Sequence, residues 1–167
     1  MGSGLSHAVV LAADADQASG LADMLHQFLE QLLDEDPAKA RLARRMSGTL
    51  LFRAAEDESI CVRLSFQRER VEVADHDGAA NRWPALTADF LTTAHMTTGE
   101  ESPFALVARR RMRVRCAPQH APFLMRVLRL MRIPPRPEIA RARRLRWALV
   151  LTTATVAAIA AYWWLAH

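Results

Sequence analysis

Cysteine is scarce: Cys61 and Cys116 are the only two in 167 residues, too few to staple a small secreted fold. No positively charged, apolar leader precedes the first acidic residues, so the soluble part is expected in a reducing cytoplasm. Several chemical signatures are also missing. There is no HExxH, no CxxC, no GxSxG and no glycine-rich phosphate loop, and the six histidines His7, His26, His76, His95, His120 and His167 are scattered. This inventory argues against an enzyme and against a resident cofactor or metal; no catalytic residue is assigned. Lysine is nearly absent, with Lys39 against 21 arginines, which points to a GC-rich genome and not to an activity. Acidic residues vanish from the rear of the chain. Residues 1–108 carry 9 basic and 17 acidic side chains, a net of −8, whereas residues 109–167 carry 13 arginines against the lone Glu138, a net of +12. Such polarity predicts that one end faces an anionic surface, membrane or nucleic acid.

What is present begins with a core. A composition 51% hydrophobic and 24% charged suits one compact domain with an appendage and excludes a disordered chain. The appendage is the run from Trp147 to Leu165, nineteen residues without a charge. As a helix it would reach about 28 Å, close to the hydrocarbon thickness of about 30 Å. Arg141, Arg143, Arg144 and Arg146 crowd one end, and Tyr162, Trp163 and Trp164 mark the other at headgroup depth. The run is therefore expected to be a transmembrane tail anchor with its arginines cytoplasmic, the alternative being a buried core helix. Its threonines and alanines make it only moderately apolar, and Ala154 with Ala158 and Ala157 with Ala161 give a spacing that admits a partner helix. Residues 133–146, opening with IPPRPE, form a proline- and arginine-rich linker.

Upstream, period decides the elements. Leu21, Leu25, Phe28, Leu29, Leu32 and Leu33 make a helical stripe with Ser19 as its cap, and a second helix runs from Asp36 and Pro37 to about Met46, ended by Gly48. Then Leu50 and Phe52, Ile60 to Phe66, and Val71 with Val73 alternate with polar neighbours, predicting three antiparallel strands joined at Ala55–Glu58 and Gln67–Glu69. A short strand is expected at Ala80–Trp83 and a helix over Leu86–Met96, with Leu86, Phe90, Leu91 and Ala94 on its inner side. Arg109–Cys116 reads as a strand with Arg109, Arg111, Arg113 and Arg115 on one face and Met112, Val114 and Cys116 on the other. A closing helix, Ala121–Arg132, turns Phe123, Leu124, Val127, Leu128 and Met131 inward. Residues 1–18 stay unassigned, with His7–Ala13 open between strand and helix.

With that order on the page, GTLLFRA, SICVRLSF, RVEV and the stretch LTADFLTTAHMTTGEESPFALVARRRMRVRC with its helical tail resemble the sterol carrier protein type 2 lipid-binding domain, over roughly Leu21 to Met131. Among bacterial members the chain looks most like accessory factors of ubiquinone biosynthesis. It departs where Ala108 or Arg109 stands for the glycine before the family's penultimate strand, and Cys116 with Ala117 for the glycine and acidic residue after it. The resemblance implies an α+β domain over residues 19–132: an antiparallel or mixed sheet of about five strands, covered by helices that enclose an apolar tunnel.

An apolar chain leaving water gains about 25 cal/mol per Å² of buried apolar area, so capture requires no catalytic group. The expected lining is Phe52, Leu64, Phe66, Val73, Phe90, Met96, Phe104, Met112, Phe123 and Leu128, although taken singly each of them reads as plain core before it reads as ligand wall. Arg109, Arg111, Arg113 and Arg115, with Arg141, Arg143, Arg144 and Arg146, are the expected contacts to anionic headgroups; the four strand arginines could equally form a solvated sheet face. Nucleic acid is a poorer partner, because exposed aromatics are not interleaved with the arginines. Asp75-His76-Asp77 before Gly78 reads as a polar turn rather than a metal site. The function expected is non-catalytic binding and presentation of a lipid, an isoprenoid quinone or its precursor favoured, at the cytoplasmic face of a bacterial inner membrane, beside a membrane-bound enzyme or complex. The rival is an accessory subunit that uses the domain as an interaction module. A small enzyme built on Cys61 or His95 is a weaker third.

Overall fold

The computed structural model describes residues 8–11, 18–68, 70–78 and 82–133. Caps account for where the helices begin. In α1 (Gly20–Glu35) the Ser19 hydroxyl accepts the Ala22 N–H, and in α2 (Pro37–Arg44) the Asp36 carboxylate accepts the N–H groups of Ala38 and Lys39. Asp89 caps α3 (Phe90–Thr97) and Ser102 caps α4 (Pro103–Ala108). Each such cap contributes about 1 kcal/mol. A 3₁₀ turn at Pro118–His120 leads into α5 (Ala121–Leu130). Ser19 also reaches across the fold. Its N–H and hydroxyl donate to the two Asp75 carboxylate oxygens at 2.8 and 2.5 Å, tying the start of α1 to the end of a strand.

The strands are β1 (Ala8–Leu11), β2 (Gly48–Ala54), β3 (Cys61–Gln67), β4 (Arg70–Asp75), β5 (Ala85–Ala88) and β6 (Met112–Arg115). They form one mixed sheet in the order β1-β4-β3-β2-β5-β6. The β2–β3, β3–β4 and β5–β6 pairs are antiparallel, whereas β1–β4 and β2–β5 are parallel. The inner face presents Leu50, Phe52, Val62, Leu64, Phe66, Val71, Val73, Leu86 and Met112 to helix residues Leu25, Leu29, Met96, Leu106, Val127 and Leu130, making one continuous apolar core. Burying each large side chain there contributes about 1.5–3 kcal/mol. A smaller cluster sits on the opposite face, where Leu51, Cys61 and Ala85 pack under Trp83.

Several expectations need correction. The sheet has six strands, because AVVL at residues 8–11 is a strand lying parallel to β4. The short strand lies at Ala85–Ala88 rather than Ala80–Trp83: Arg82 and Trp83 are in a turn, and residues 80 and 81 fall outside the described residues. Pro84 sets this boundary, since it has no N–H to give a ladder while its carbonyl accepts the Leu51 N–H. The helix expected over Leu86–Met96 is therefore a strand followed by a helix, and Leu86 belongs to the sheet. Within α3 the inward and outward faces are also reversed from expectation. Thr92, Thr93 and Met96 are fully buried, while Phe90 is 52% and Leu91 61% exposed. The second helix closes at Arg44, short of Met46, and Gly48 opens β2 instead of capping that helix.

The expected strand Arg109–Cys116 shrinks to Met112–Arg115. Ahead of it Arg110 takes φ 59°, a left-handed backbone that suits glycine, so residues 109–111 turn instead of extending. Gly99, at φ 78°, ends α3 with its missing β-carbon only 3.0 Å from Ile133 Cγ2, a space that no larger residue could occupy without a shift. The described residues belong to one compact unit, which closes at Ile133. Among the described residues no helix is long and apolar enough to cross a membrane; the expected span at 147–165 and the arginines 141–146 lie outside them.

Candidate functional site

The interior between sheet and helices is where the expected lining residues fall. Phe52, Leu64, Phe66, Val73, Met96, Met112 and Leu128 are buried together in the main core, and Phe104 and Phe123 pack half-buried against it. Phe90 does not join them, for the reason given by the reversed face of α3. Two hollows bordered by described residues lie outside this layer. Of the ten expected lining residues, only Phe66 borders either one.

The larger hollow is a surface groove of about 690 Å³ lined by Ser47, Gly48, Phe66, Gln67, Arg68 and Arg70. It follows from the β3–β4 hairpin. Antiparallel pairing sets Gly48 opposite Phe66 and Gln67 opposite Arg70, so the start of β2 and the hairpin end meet at one edge of the core. Phe123 of α5 stands edge-on to Phe66, ring centroids 5.8 Å apart at 75°, and lies against Gly48, where a β-carbon would come within 3.0 Å of the ring. Gly48 has φ 147°, a second reason for glycine there. The groove thus has an aromatic floor continuous with the core and a rim of two guanidinium groups, with Arg70 Nε held at 3.0 Å by Gln67 Oε1. Sequence reasoning misses the groove residues Arg68 and Arg70; the basic pattern of Gln67-Arg68-Glu69-Arg70 at a hairpin turn is the signal that could have found them.

The smaller hollow, about 330 Å³, lies by the β5–α3 junction and is polar: Glu58, Thr87, Asp89, Arg110, Arg111 and Arg113 border it together with Ala54 and Ala55. The Asp89 carboxyl is held below the usual carboxylate range chiefly by the Thr92 N–H it accepts. The four-arginine strand face is not formed. Arg109 and Arg111 lie in the turn before β6 and both reach Glu101 Oε1, at 3.1 and 3.4 Å, while only Arg113 and Arg115 are on the strand.

Groups with catalytic potential are placed elsewhere. Cys61 is buried in the outer cluster, and burial pushes its thiol up against the opposing pull of Arg53. Cys116 is half-buried at the end of β6, its thiol also raised by burial. His95 Nε2 lies 3.6 Å from Glu100, and His76 Nδ1 accepts the Gly78 N–H at 2.9 Å while its ring packs on Trp83. Both Asp75 oxygens are taken by Ser19, and among the described residues no three His, Cys, Asp or Glu side chains are gathered to hold a metal ion.

No family model matches the chain, and no curated protein matches it at a significant level. Solved structures do. A crystal structure of sterol carrier protein 2 is similar over 74% of this chain and 95% of its own, at 17% identity and a TM-score of 0.50. A UbiJ-SCP2 ubiquinone synthesis protein covers 66% and 88% at 16% identity and 0.48. A conserved hypothetical protein from Thermus thermophilus, described as possibly a sterol carrier protein, covers 75% and 95% at 15% identity and 0.46. At these identities the likeness is one of fold: an α+β architecture of the sterol-carrier type, with helices over a mixed six-stranded sheet.

Proposed function

We infer that this sterol-carrier-like domain binds a lipid without catalysis and presents it at the cytoplasmic face of a bacterial inner membrane, with the run 147–165 as tail anchor and 133–146 as linker. The observation that carries the reading is the groove over Phe66. It is the place where solvent meets an aromatic floor joined to the main core, with Arg68 and Arg70 placed to meet a polar or acidic head. An apolar tail would enter between Phe66 and Phe123, toward the apolar core on which both rings pack. An isoprenoid quinone or its precursor is the favoured ligand, on the strength of the sequence resemblance; a membrane-bound enzyme or complex would receive it.

The test is extraction of the full chain purified from membranes, followed by mass spectrometry. Co-purified lipid that is lost in Phe66→Ala and Phe123→Ala supports carriage. A reproducibly empty protein that keeps a stoichiometric partner in mild detergent supports instead an accessory subunit of a membrane complex. The dense packing of the seven core residues named above favours that second reading.

A further inference from the structure

Helix α3 is built inside out. Its buried side holds Thr92 and Thr93, and the cost of burying their hydroxyls is met locally: Thr92 Oγ1 donates to Asp89 Oδ2 at 2.8 Å and Thr93 Oγ1 to the Asp89 carbonyl at 2.9 Å. Its outer side begins with Phe90 and Leu91, the two most exposed large apolar side chains among the described residues. The backbone beneath them is fixed. The Phe90 N–H donates to Glu56 Oε1 at 2.8 Å, and Asp89 caps the first turn through the Thr92 N–H. A rigid, apolar tip is thus held out into water, at a cost that neither the core nor the helix recovers.

What adjoins the tip is the polar hollow, since Asp89 borders it and Phe90 follows Asp89 directly. Its charge is mixed. Arg110, Arg111 and Arg113 border a space of about 330 Å³ together with Glu58, Asp89 and Thr87; Arg111 also reaches Glu101 Oε1 at 3.4 Å, and both Asp89 oxygens accept from Thr92, which leaves Glu58 as the carboxylate with oxygens for a ligand. A simple anion would find carboxylates among its contacts, and a simple cation would find guanidinium groups. A ligand carrying a phosphate and an ammonium a few bonds apart meets both signs, the phosphate on the arginine forks and the ammonium on Glu58. Apolar tip and mixed-charge hollow lie side by side, as the acyl and headgroup layers do in a bilayer.

We propose that the β5–α3 junction is a membrane-docking site for zwitterionic phospholipid of the phosphoethanolamine class, with Phe90 and Leu91 entering the acyl boundary and the Arg110–Arg111–Arg113 hollow holding the headgroup. This rests on the reading of the protein as one that works at a membrane face, and it replaces the four-arginine strand as the contact on this domain. It does not depend on what the groove over Phe66 carries.

The experiment uses the full chain with Cys116→Ser, so that a nitroxide can be placed on Phe90→Cys while Cys61 stays buried; Arg41→Cys on exposed α2 provides the control. On vesicles of phosphatidylethanolamine and phosphatidylcholine the label at 90 is expected below the phosphates, shielded from a water-soluble nickel chelate and accessible to oxygen, with the label at 41 in water. A label at 90 that remains aqueous while the chain sediments with the vesicles overturns the proposal, whatever lipid is found by extraction. Titration with glycerophosphoethanolamine, followed through the arginine Nε signals, tests the hollow. Arg110→Gly suits the backbone at φ 59° and so keeps the fold, and with Arg113→Gln it is expected to weaken that binding about ten-fold. Equal binding of glycerophosphate, or immersion of the label only on phosphatidylglycerol, overturns the zwitterion assignment.

Discussion

The ring of Phe123 occupies the space that a side chain on Gly48 would need: a β-carbon built there would stand 3.0 Å from Phe123 Cε2. That contact lets α5 close over the first residue of β2 and brings Phe123 to Phe66. Gly48→Ala is therefore expected to destabilise the domain by about 1–3 kcal/mol, from strain at φ 147° and displacement of the ring. Urea unfolding checks it, and an unchanged midpoint would show that the ring moves aside freely. The same variant should lower the lipid recovered on extraction, because the displaced ring would fill the groove.

Asp89 acts as an electrostatic cap for α3. Asp89→Ala should cost about 1 kcal/mol, with Asp89→Asn recovering most of it, since an amide oxygen still accepts the Thr92 N–H. The pH dependence follows from the lowered carboxyl. Its contribution is complete above the unfolded value of about 3.9 and is lost as pH falls through the lower folded value. Asp57, lowered by the Ser59 hydroxyl, works in the same direction. Acid titration of wild type and Asp89→Asn should therefore converge below about pH 4; curves that stay parallel would remove Asp89 from the acid transition.

Thiol chemistry should separate the two cysteines. Cys116 is reachable and should react with an aromatic disulfide reagent in the folded protein, slowly at neutral pH because its thiol is raised. Cys61 is sealed under Trp83 and should react only as the fold opens, at a rate that rises with denaturant. Prompt modification of both would mean that the Trp83 cover opens in the native state.

The sequence carried the helices and the hairpins because their signals are local. Ser19 and Asp36 are caps followed by apolar spacing, and Leu64, Phe66, Val71 and Val73 alternate cleanly on a sheet with one buried face. The two short strands depend on partners far away in sequence. Residues 85–88 read ALTA, residues 8–11 read AVVL, and each becomes a strand only because a distant neighbour, β2 or β4, supplies a parallel ladder. Periodicity placed Phe90 and Leu91 inside, since it cannot see that Asp89 satisfies two threonine hydroxyls and so lets the polar side face the core. The cap itself was readable as an acidic residue three places before Thr92. The groove at Phe66 is half legible in the sequence: alternation and helical spacing point Phe66 and Phe123 inward, but Arg68 and Arg70 reach the groove only through hairpin register.

The parallel pairing of β2 with β5 also dictates an order of assembly. The β2–β3–β4 meander needs only short loops to close, whereas β5 reaches β2 after the whole excursion through β3 and β4, and β6 can attach only once β5 is seated. Pulse-labelling of amide hydrogens during refolding should show protection at residues 61–75 before 85–88 and 112–115; simultaneous protection would mean a single concerted nucleus. A ribosome-bound chain would hold a finished meander while α5, which covers its aromatic edge, is still being synthesised. Until α5 emerges Phe66 lacks the ring of Phe123 against it, and the nascent domain is a ready client for chaperones.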